Sequence, residues 1–360
     1  MSQRVVVAMS GGVDSSTTAW LLKQKGYEVI GATMCIGVMD KARGGPARCC
    51  GLADIEDARR VALQLGIPFH VFHLKDEFEK EVVQYFCDEY AHGKTPNPCI
   101  FCNEKIKFGA FLRRAQDLEA DFVATGHYAR LDFDERMERY LLKKGVDLRK
   151  DQSYVLFSLT QDQFRHTLFP LGELRKEEVR EMAFQQGLRV HDKPESQEVC
   201  FIQESSYHFF LTERLEASFG PGPIVDRRGN VLGKHRGIPF YTIGQRRGLR
   251  LAKGRPLYVI GIDREKNVIV VGEEEEVYGD TFLVGSVNWI VPQKMIPSHH
   301  THVKIRYNHP GSEASISPKG ESDLEVKFKL PQKAITPGQA AVFYDGETVL
   351  GGGWIKEVLS

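Results

Sequence analysis

No apolar run in this chain of 360 residues approaches the roughly 18 needed to span a bilayer. No charged-then-apolar leader precedes the strand-like VVVA that starts at Val5. A cytosolic protein without a membrane partner is the expectation. Cysteine stops at Cys200, and the total of seven is odd. That argues against a disulfide framework and for reduced thiols gathered in one region. Charge of either sign is also missing from the total, 48 cations against 48 acids. A uniformly basic nucleic-acid binder is thereby disfavoured. The total hides a local absence, since Arg227 to Arg255 holds nine Lys or Arg and no Asp or Glu. Acids gather elsewhere, notably at Glu273–Glu276. Cations interleaved with Phe240 and Tyr241 suit an RNA backbone, where counterion release drives affinity. A solvated charged face is the plainer alternative.

What is present points to more than one domain. The first 130 or so residues alternate apolar runs (RVVVAMS, EVIGATMCI, IPFHVFHL, ADFVATGHYAR) with helical periodicity near Ser15–Lys25, Leu52–Leu65, Asp76–Ala91 and Glu104–Leu118. Such alternation predicts an α/β fold with a parallel sheet and ligands at the carboxyl ends of its strands. Arg43–Pro46 and His92–Pro98 are long polar connections of the kind that serve as lids or binding loops. Helical periodicity ends after Leu215, and short β-rich runs separated by Gly, Pro and Asp predict a small barrel or sandwich. The expected domains are 1–204, 205–275 and 276–360, with the basic span in the second.

The stretch AMSGGVDSS follows a strand and opens a helix. Gly11 and Gly12 allow a tight turn and close approach of a ligand. Ser10, Ser15 and Ser16 add hydroxyls, and a helix N-terminus offers unpaired N–H groups to an anion. Asp14 beside a phosphate would hold Mg²⁺ or orient the loop. Neither G-x-x-x-x-G-K-[ST] nor G-x-G-x-x-G is present. The competing reading is a Gly-Gly turn ahead of an Asp or Ser cap.

TPNPCIFCN holds the only C-x-x-C pair, Cys99 and Cys102. Structural zinc needs a second knuckle, which the adjacent Cys49 and Cys50 cannot form. A thioredoxin-like pair would open a helix at a strand-to-helix junction. The third reading is sulfur carriage, with Cys200 in VCFI as another thiol. Lys105 and Lys107 beyond Cys102, and Lys193 before Cys200, are candidate activating cations. A buried inert thiol is the alternative for Cys200.

SGGVDSS resembles the loop of the PP-loop ATP pyrophosphatases, which adenylate a carbonyl-type oxygen. TPNPCIFCNEKIKFG, ATGHYAR, KDQSYVLF, KPESQEVCFI and GKHRGIPFYTIGQRRGL are similar to one branch, the bacterial tRNA 2-thiouridylases. The resemblance runs from about residue 5 to the C-terminus. It implies a PP-loop domain, a small central domain and a C-terminal β-barrel. It also implies ATP-dependent 2-thiolation of the wobble uridine through an adenylated uridine. ATP, with Mg²⁺, would contact Ala8, Met9, Ser10, Gly11, Gly12, Val13, Asp14 and Ser15, then Met34 and Gly126 at two strand ends. His127, Lys150, Asp151, Gln152, Arg306, Tyr307 and Gln339 would contact tRNA, those for Lys, Glu and Gln being the family's substrates. A sulfur-relay protein or cysteine desulfurase would load Cys200 with a persulfide, and Cys102 would resolve it, leaving a Cys102–Cys200 disulfide.

One departure stands out. Much of the family has Asp where this chain has Cys99, so that base role does not carry over. Three cysteines with that spacing resemble instead the tRNA thiolases that hold an iron–sulfur cluster on three thiolates, and a cluster on Cys99, Cys102 and Cys200 is a second route for the sulfur. Two other functions remain open. A PP-loop ligase adenylating a small metabolite would exchange pyrophosphate without tRNA. A non-catalytic RNA-binding module would not need Asp14.

Overall fold

The computed structural model describes residues 2–37, 52–194, 199–202, 207–215, 220–251, 254–295 and 301–359. The Arg43–Pro46 connection and Cys49–Cys50 lie outside the described residues. The chain forms two compact units. One comprises residues 1–83, 99–201 and 347–349; the other comprises 84–98, 202–346 and 350–360.

The first unit is built on a parallel sheet. Its strands are β1 (Arg4–Ala8), β2 (Glu28–Cys35), β3 (Phe69–His73), β4 (Phe122–Ala124) and β7 (Thr167–Leu168), in the order β3-β2-β1-β4-β7. Val5, Val6 and Val7 are fully buried. A strand covered on both faces reads as an unbroken apolar run, which is what RVVVA is. Helix α1 (Val13–Gln24) packs against α2 (Leu52–Leu65) and α6 (Lys176–Gln185). Ser16, Thr17 and Thr18 lie buried in α1, and each hydroxyl donates to the carbonyl four residues back, at 2.8, 2.9 and 2.8 Å. Buried hydroxyls are satisfied this way without leaving the helix.

Helix α3 spans 75–91 and helix α4 spans 98–116, each widening to π turns, over Glu79–Gln84 and Cys102–Ala110 respectively. The fourth helix therefore starts at Pro98 rather than Glu104, so Cys99 and Cys102 ride on its opening turns. Proline costs nothing at a helix start, where its missing N–H would be unpaired anyway. Strands β5 (Ala129–Asp134) and β6 (Arg139–Lys144) form a hairpin, joined by Thr348 opposite Lys143. The short helix α5 (Gln161–Arg165) precedes β7.

The second unit contains α7 (Tyr207–Arg214), a four-stranded sheet and a barrel. The sheet runs β10-β11-β8-β9, from Gly222–Val225 (β8), Val231–His235 (β9), Tyr258–Asp263 (β10) and Val268–Gly272 (β11). The later strands are β12 (Tyr278–Trp289), β13 (Thr301–Lys304), β14 (Ser312–Lys319), β15 (Asp323–Lys333), β16 (Ala340–Asp345) and β17 (Thr348–Val358). They run β12-β15-β14-β13-β16-β17, and β17 pairs back with β12. The ring closes into a barrel, which decides against a sandwich. Register shifts in β12 let that long strand bend around it.

The barrel also holds the loop that leads into α4. Thr95 donates its N–H to the Pro337 carbonyl at 3.0 Å, and its own carbonyl accepts from Gln339 Nε2 at 2.8 Å. Gly338 lies between, at φ +89°, where a Cβ would come within 2.9 Å of Lys94 Cβ and 3.0 Å of the Thr95 nitrogen. Among the described residues, no helix is long and apolar enough to cross a membrane.

Candidate active site

From β1 the chain proceeds to β2 and β3 on one side, whereas β4 and β7 lie on the other. A reversal of this kind opens a crevice at the carboxyl ends of the two central strands. Ala8 ends β1 and Ala124 ends β4, so residues 9–12 and 125–127 meet there. A Cβ on Gly126 would lie 2.9 Å from Asp14 Cβ and 3.0 Å from the Ser15 nitrogen. Gly11, at φ +74°, would drive a Cβ to 2.3 Å from the Asp54 carbonyl oxygen. Both positions demand glycine. Gly12 is the N-cap of α1 and no side chain caps it, so the Asp or Ser cap is not formed. The first N–H groups of α1 are left for an anion. Ser10 is drawn in by its N–H to Ser15 Oγ at 3.1 Å. Met9 and Val13 are buried in the core, and Met34 is half-buried at the end of β2.

Asp14 is occupied. Lys176 Nζ donates to both its oxygens at 2.7 Å, and the Tyr128 hydroxyl donates to Oδ1 at 2.7 Å. This carboxylate orients the loop. With its lone pairs so engaged, the residues present do not make a magnesium site around Asp14. Lys193 acts from the other side, donating to the Gly11 carbonyl at 3.0 Å, Asp54 at 2.8 Å and Asp57 at 2.7 Å. Burial opposes its charge, but the two carboxylates outweigh burial and hold the ammonium above its usual range. Lys193 therefore ties the loop to α2 rather than activating Cys200.

Cys99, Cys102 and Cys200 all belong to the first unit, and none is in a disulfide. Cys35 departs from the reduced-thiol expectation, being disulfide-bonded. Cys99 is exposed to solvent, though protein atoms crowd around its thiol. Burial pushes its thiol up and the Lys107 ammonium pulls it part of the way down. Lys107 Nζ also lies 3.4 Å from His127 Nε2, whose Nδ1 is 2.7 Å from Thr125 Oγ1. Burial first, then Lys107, holds His127 well below the usual imidazole value. The ring is neutral, with Nε2 accepting from Lys107 and Nδ1–H donating to Thr125. Lys105 pairs instead with Glu104 at 2.6 Å. Phe201, next to Cys200, stacks edge-on against Phe78 at 5.6 Å, and the turn carrying Phe78 packs on the π-widened part of α4.

The pair Cys99/Cys102 opens a helix, but that helix follows a loop and not a strand, so the thioredoxin arrangement is absent. Among the described residues, no group of three or more His, Cys, Asp or Glu is placed to hold a metal ion. The three cysteines as arranged do not fit a cluster.

The residues expected to meet tRNA divide by environment. Asp151 is buried and accepts from the Gly145 and Ser153 N–H groups and from Ser153 Oγ. Gln152 Oε1 accepts the Tyr128 N–H at 3.0 Å, which braces the tyrosine that holds Asp14. Lys150 is half-exposed in the same turn. Arg306 donates to the Lys333 carbonyl at 2.9 Å, Tyr307 beside it is exposed, and Gln339 makes the bond to Thr95 already described. Sequence reasoning missed Lys176 and Tyr128. One signal was present: Lys176 opens α6, and a cation at a helix N-terminus is unfavourable unless something pairs it.

Comparison with known proteins covers the chain from end to end. Residues 3–204 match the family model described as "tRNA methyl transferase HUP domain", 208–273 the "tRNA methyl transferase PRC-barrel domain", and 279–355 the "Aminomethyltransferase beta-barrel domain". The chain is 50% identical over 361 residues to the tRNA-specific 2-thiouridylase MnmA of Desulforamulus reducens, covering 100% of this chain and 98% of that protein. The same-named proteins of Halothermothrix orenii and Heliobacterium modesticaldum are 51% and 52% identical, over 98% and 99% of this chain and 99% and 93% of theirs. Among solved structures, a 4-thiouridine synthetase–RNA complex with bound ATP is similar over 55% of this chain and 45% of that one, at 17% identity and a TM-score of 0.35.

Proposed function

The chain belongs to the tRNA-specific 2-thiouridylase family, and from that premise we propose that it replaces O2 of the wobble uridine of tRNA with sulfur at the expense of ATP. The observation that carries the chemistry is the uncapped glycine loop at the sheet's switch point, in the same unit as Cys102 and Cys200. A ligase for a small metabolite is not favoured, because the full-length relatives share one name and it is that of a tRNA thiolase.

Uridine O2 attacks the α-phosphorus of ATP and pyrophosphate leaves. The outer sulfur of a Cys200 persulfide then attacks C2, and AMP leaves with the former O2. Cys102 attacks the inner sulfur, the sulfur–sulfur bond breaks, and its electrons stay on the sulfur attached to C2. The product is 2-thiouridine together with a Cys102–Cys200 disulfide, which a thiol reductant reopens. Ala8–Ser15, with Met34 and Gly126, bind the nucleotide, and magnesium comes with its phosphates. Lys107 and neutral His127 line the approach to the thiols, and Cys99 is a neighbour of the reaction rather than a cluster ligand. Lys150, with Asp151 and Gln152 fixing its turn, contacts tRNA, as do Arg306, Tyr307 and the region of Gln339. The division into 1–204, 205–275 and 276–360 assigns the chemistry and the Lys150 turn to the first part and the rest of the RNA grip to the other two. Cytoplasmic tRNAs for Lys, Glu and Gln are the substrates, and a cysteine desulfurase or relay protein supplies the sulfur.

The test is ATP–pyrophosphate exchange with and without tRNA, followed by mass analysis of tRNA from a strain lacking the protein. Exchange that requires tRNA, and loss of 2-thiouridine, are expected. Exchange at full rate without tRNA would favour the ligase. A colourless, iron-free preparation should thiolate fully; activity that tracks iron content would return the sulfur step to a cluster.

A further inference from the structure

The middle of the basic span holds a feature that this reaction leaves unassigned. In the second unit, the stretch 236–250 and α7 enclose a recess of about 530 Å³. Small-ligand sites run from roughly 300 to 1,000 Å³. Arg236, Arg247 and Arg250 line it and are exposed, and among the described residues none of the three forms an ion pair. The ends of the span behave differently: Arg227 pairs with Glu276 at 3.1 Å, and Arg255 pairs with Glu273. The acidic run therefore pairs with the ends and leaves the three arginines of the recess outside those pairs.

The recess has a fixed rim. Gln245 Oε1 accepts the Thr242 N–H at 3.0 Å, and its Nε2 donates to the Arg247 carbonyl at 3.0 Å. Gly244 N–H donates to the Val259 carbonyl at 2.8 Å, and Val259 N–H returns to the Gln245 carbonyl at 2.9 Å. Arg250 sits at φ +55°, a left-handed conformation that side-chain-bearing residues rarely adopt. Such backbone persists where its surroundings over-determine it, and it is common at ligand clamps. Aromatic surface completes the site. Phe240 is half-buried on the wall, and Tyr241 is backed by the edge of His235 at 5.8 Å.

We propose that this recess receives one unstacked nucleotide of tRNA, its base against Phe240 and its phosphates on Arg247 and Arg250. It would be a second point of grip, in a different unit from the cysteines. The proposal rests on tRNA being the substrate. Single-stranded RNA is read by splaying bases onto aromatic faces, and such stacking tolerates any base. Cations that only track a backbone would explain the charge but not a hollow with an aromatic wall.

Thr212→Trp tests it with the full chain, since Thr212 is an exposed residue at the rim and tryptophan there fills the recess without altering charge. Binding is measured at one salt concentration for an intact tRNA transcript and for transcripts with a single abasic site at each unpaired position. We expect Thr212→Trp to weaken the intact transcript about tenfold, in line with the loss of one base–aromatic stack. One abasic transcript should weaken the wild type to the same degree, and that transcript should be indifferent to Thr212→Trp. Phe240→Leu should reproduce the pattern, which guards against a misfolded tryptophan variant. Unchanged binding by both variants would overturn the proposal, as would a loss equal across every abasic transcript. A loss confined to an Arg247→Ala, Arg250→Ala double variant would mean phosphate tracking only and would overturn it too. Failure of the wild type to bind tRNA at all would instead refute the proposed function.

Discussion

Three hydrogen bonds converge on Asp14, two from the Lys176 ammonium and one from the Tyr128 hydroxyl. The lysine is buried and the carboxylate is about a third exposed. Removing one member of such a pair strands the other, at a cost of about 3–5 kcal/mol; solvent at Asp14 puts Lys176→Met near the lower end. Adding Asp14→Asn should restore most of that stability, measured by urea unfolding, yet leave pyrophosphate exchange low because the loop has lost its brace. A double variant with normal exchange would show that the pair serves stability alone. Cys99 offers a second measurement. Its thiol is raised by burial and relieved in part by Lys107, so alkylation at Cys99 should be slow at neutral pH and rise on the alkaline side. Lys107→Ala should move that profile further alkaline, read peptide by peptide in a mass spectrometer. Movement toward acid would mean that the lysine does not act on this thiol.

Helix α4 carries both members of the C-x-x-C pair, and its π turns need outside help. Gln163 Nε2 donates to the Glu104 carbonyl at 2.9 Å and to the Phe108 carbonyl at 2.8 Å, clasping the widened segment that presents Lys107. The same residue caps α5 through Thr160. Gln163→Leu should cost about 1–3 kcal/mol by denaturant unfolding, because two part-buried carbonyls lose a side-chain donor; a change under about 0.5 kcal/mol would mean that water replaces it. The sequence made the existence of this helix plain through its apolar spacing. The widening was not legible, since it depends on Gln163, 59 residues from Glu104. Lys176 was hidden for the same reason, lying 162 residues from Asp14. By contrast, the loop at Gly11–Gly12 and its strand–helix setting were readable directly, because glycine between an apolar run and a periodic one has few other uses.

Across the whole molecule, burial holds His127, His235 and His309 below the usual imidazole value. An unfolded chain takes up those protons near pH 6.5, and the folded chain resists until lower pH. Their contribution is therefore complete above about pH 6.5 and is lost as pH falls. Carboxylates held low by hydrogen bonds, such as Asp226 and Asp263, join only below about pH 4.5. Thermal midpoints should decline in two stages on acidification, and a flat profile between pH 6.5 and 5 would contradict the first. At this scale the sequence conveyed the order of architectures, sheet then barrel, through the change from helical to strand spacing. It did not convey that 84–98 and 202–346 belong to one unit, because that depends on contacts between distant segments.

The clasp on Thr95 has an evolutionary corollary. A gene truncated after residue 275 would still encode the cysteines and the nucleotide loop, but no Gln339 to anchor the peptide entering the Cys99 helix. If that hold on Thr95 matters to the helix that follows, lineages that shed the barrel should be found without thiolation.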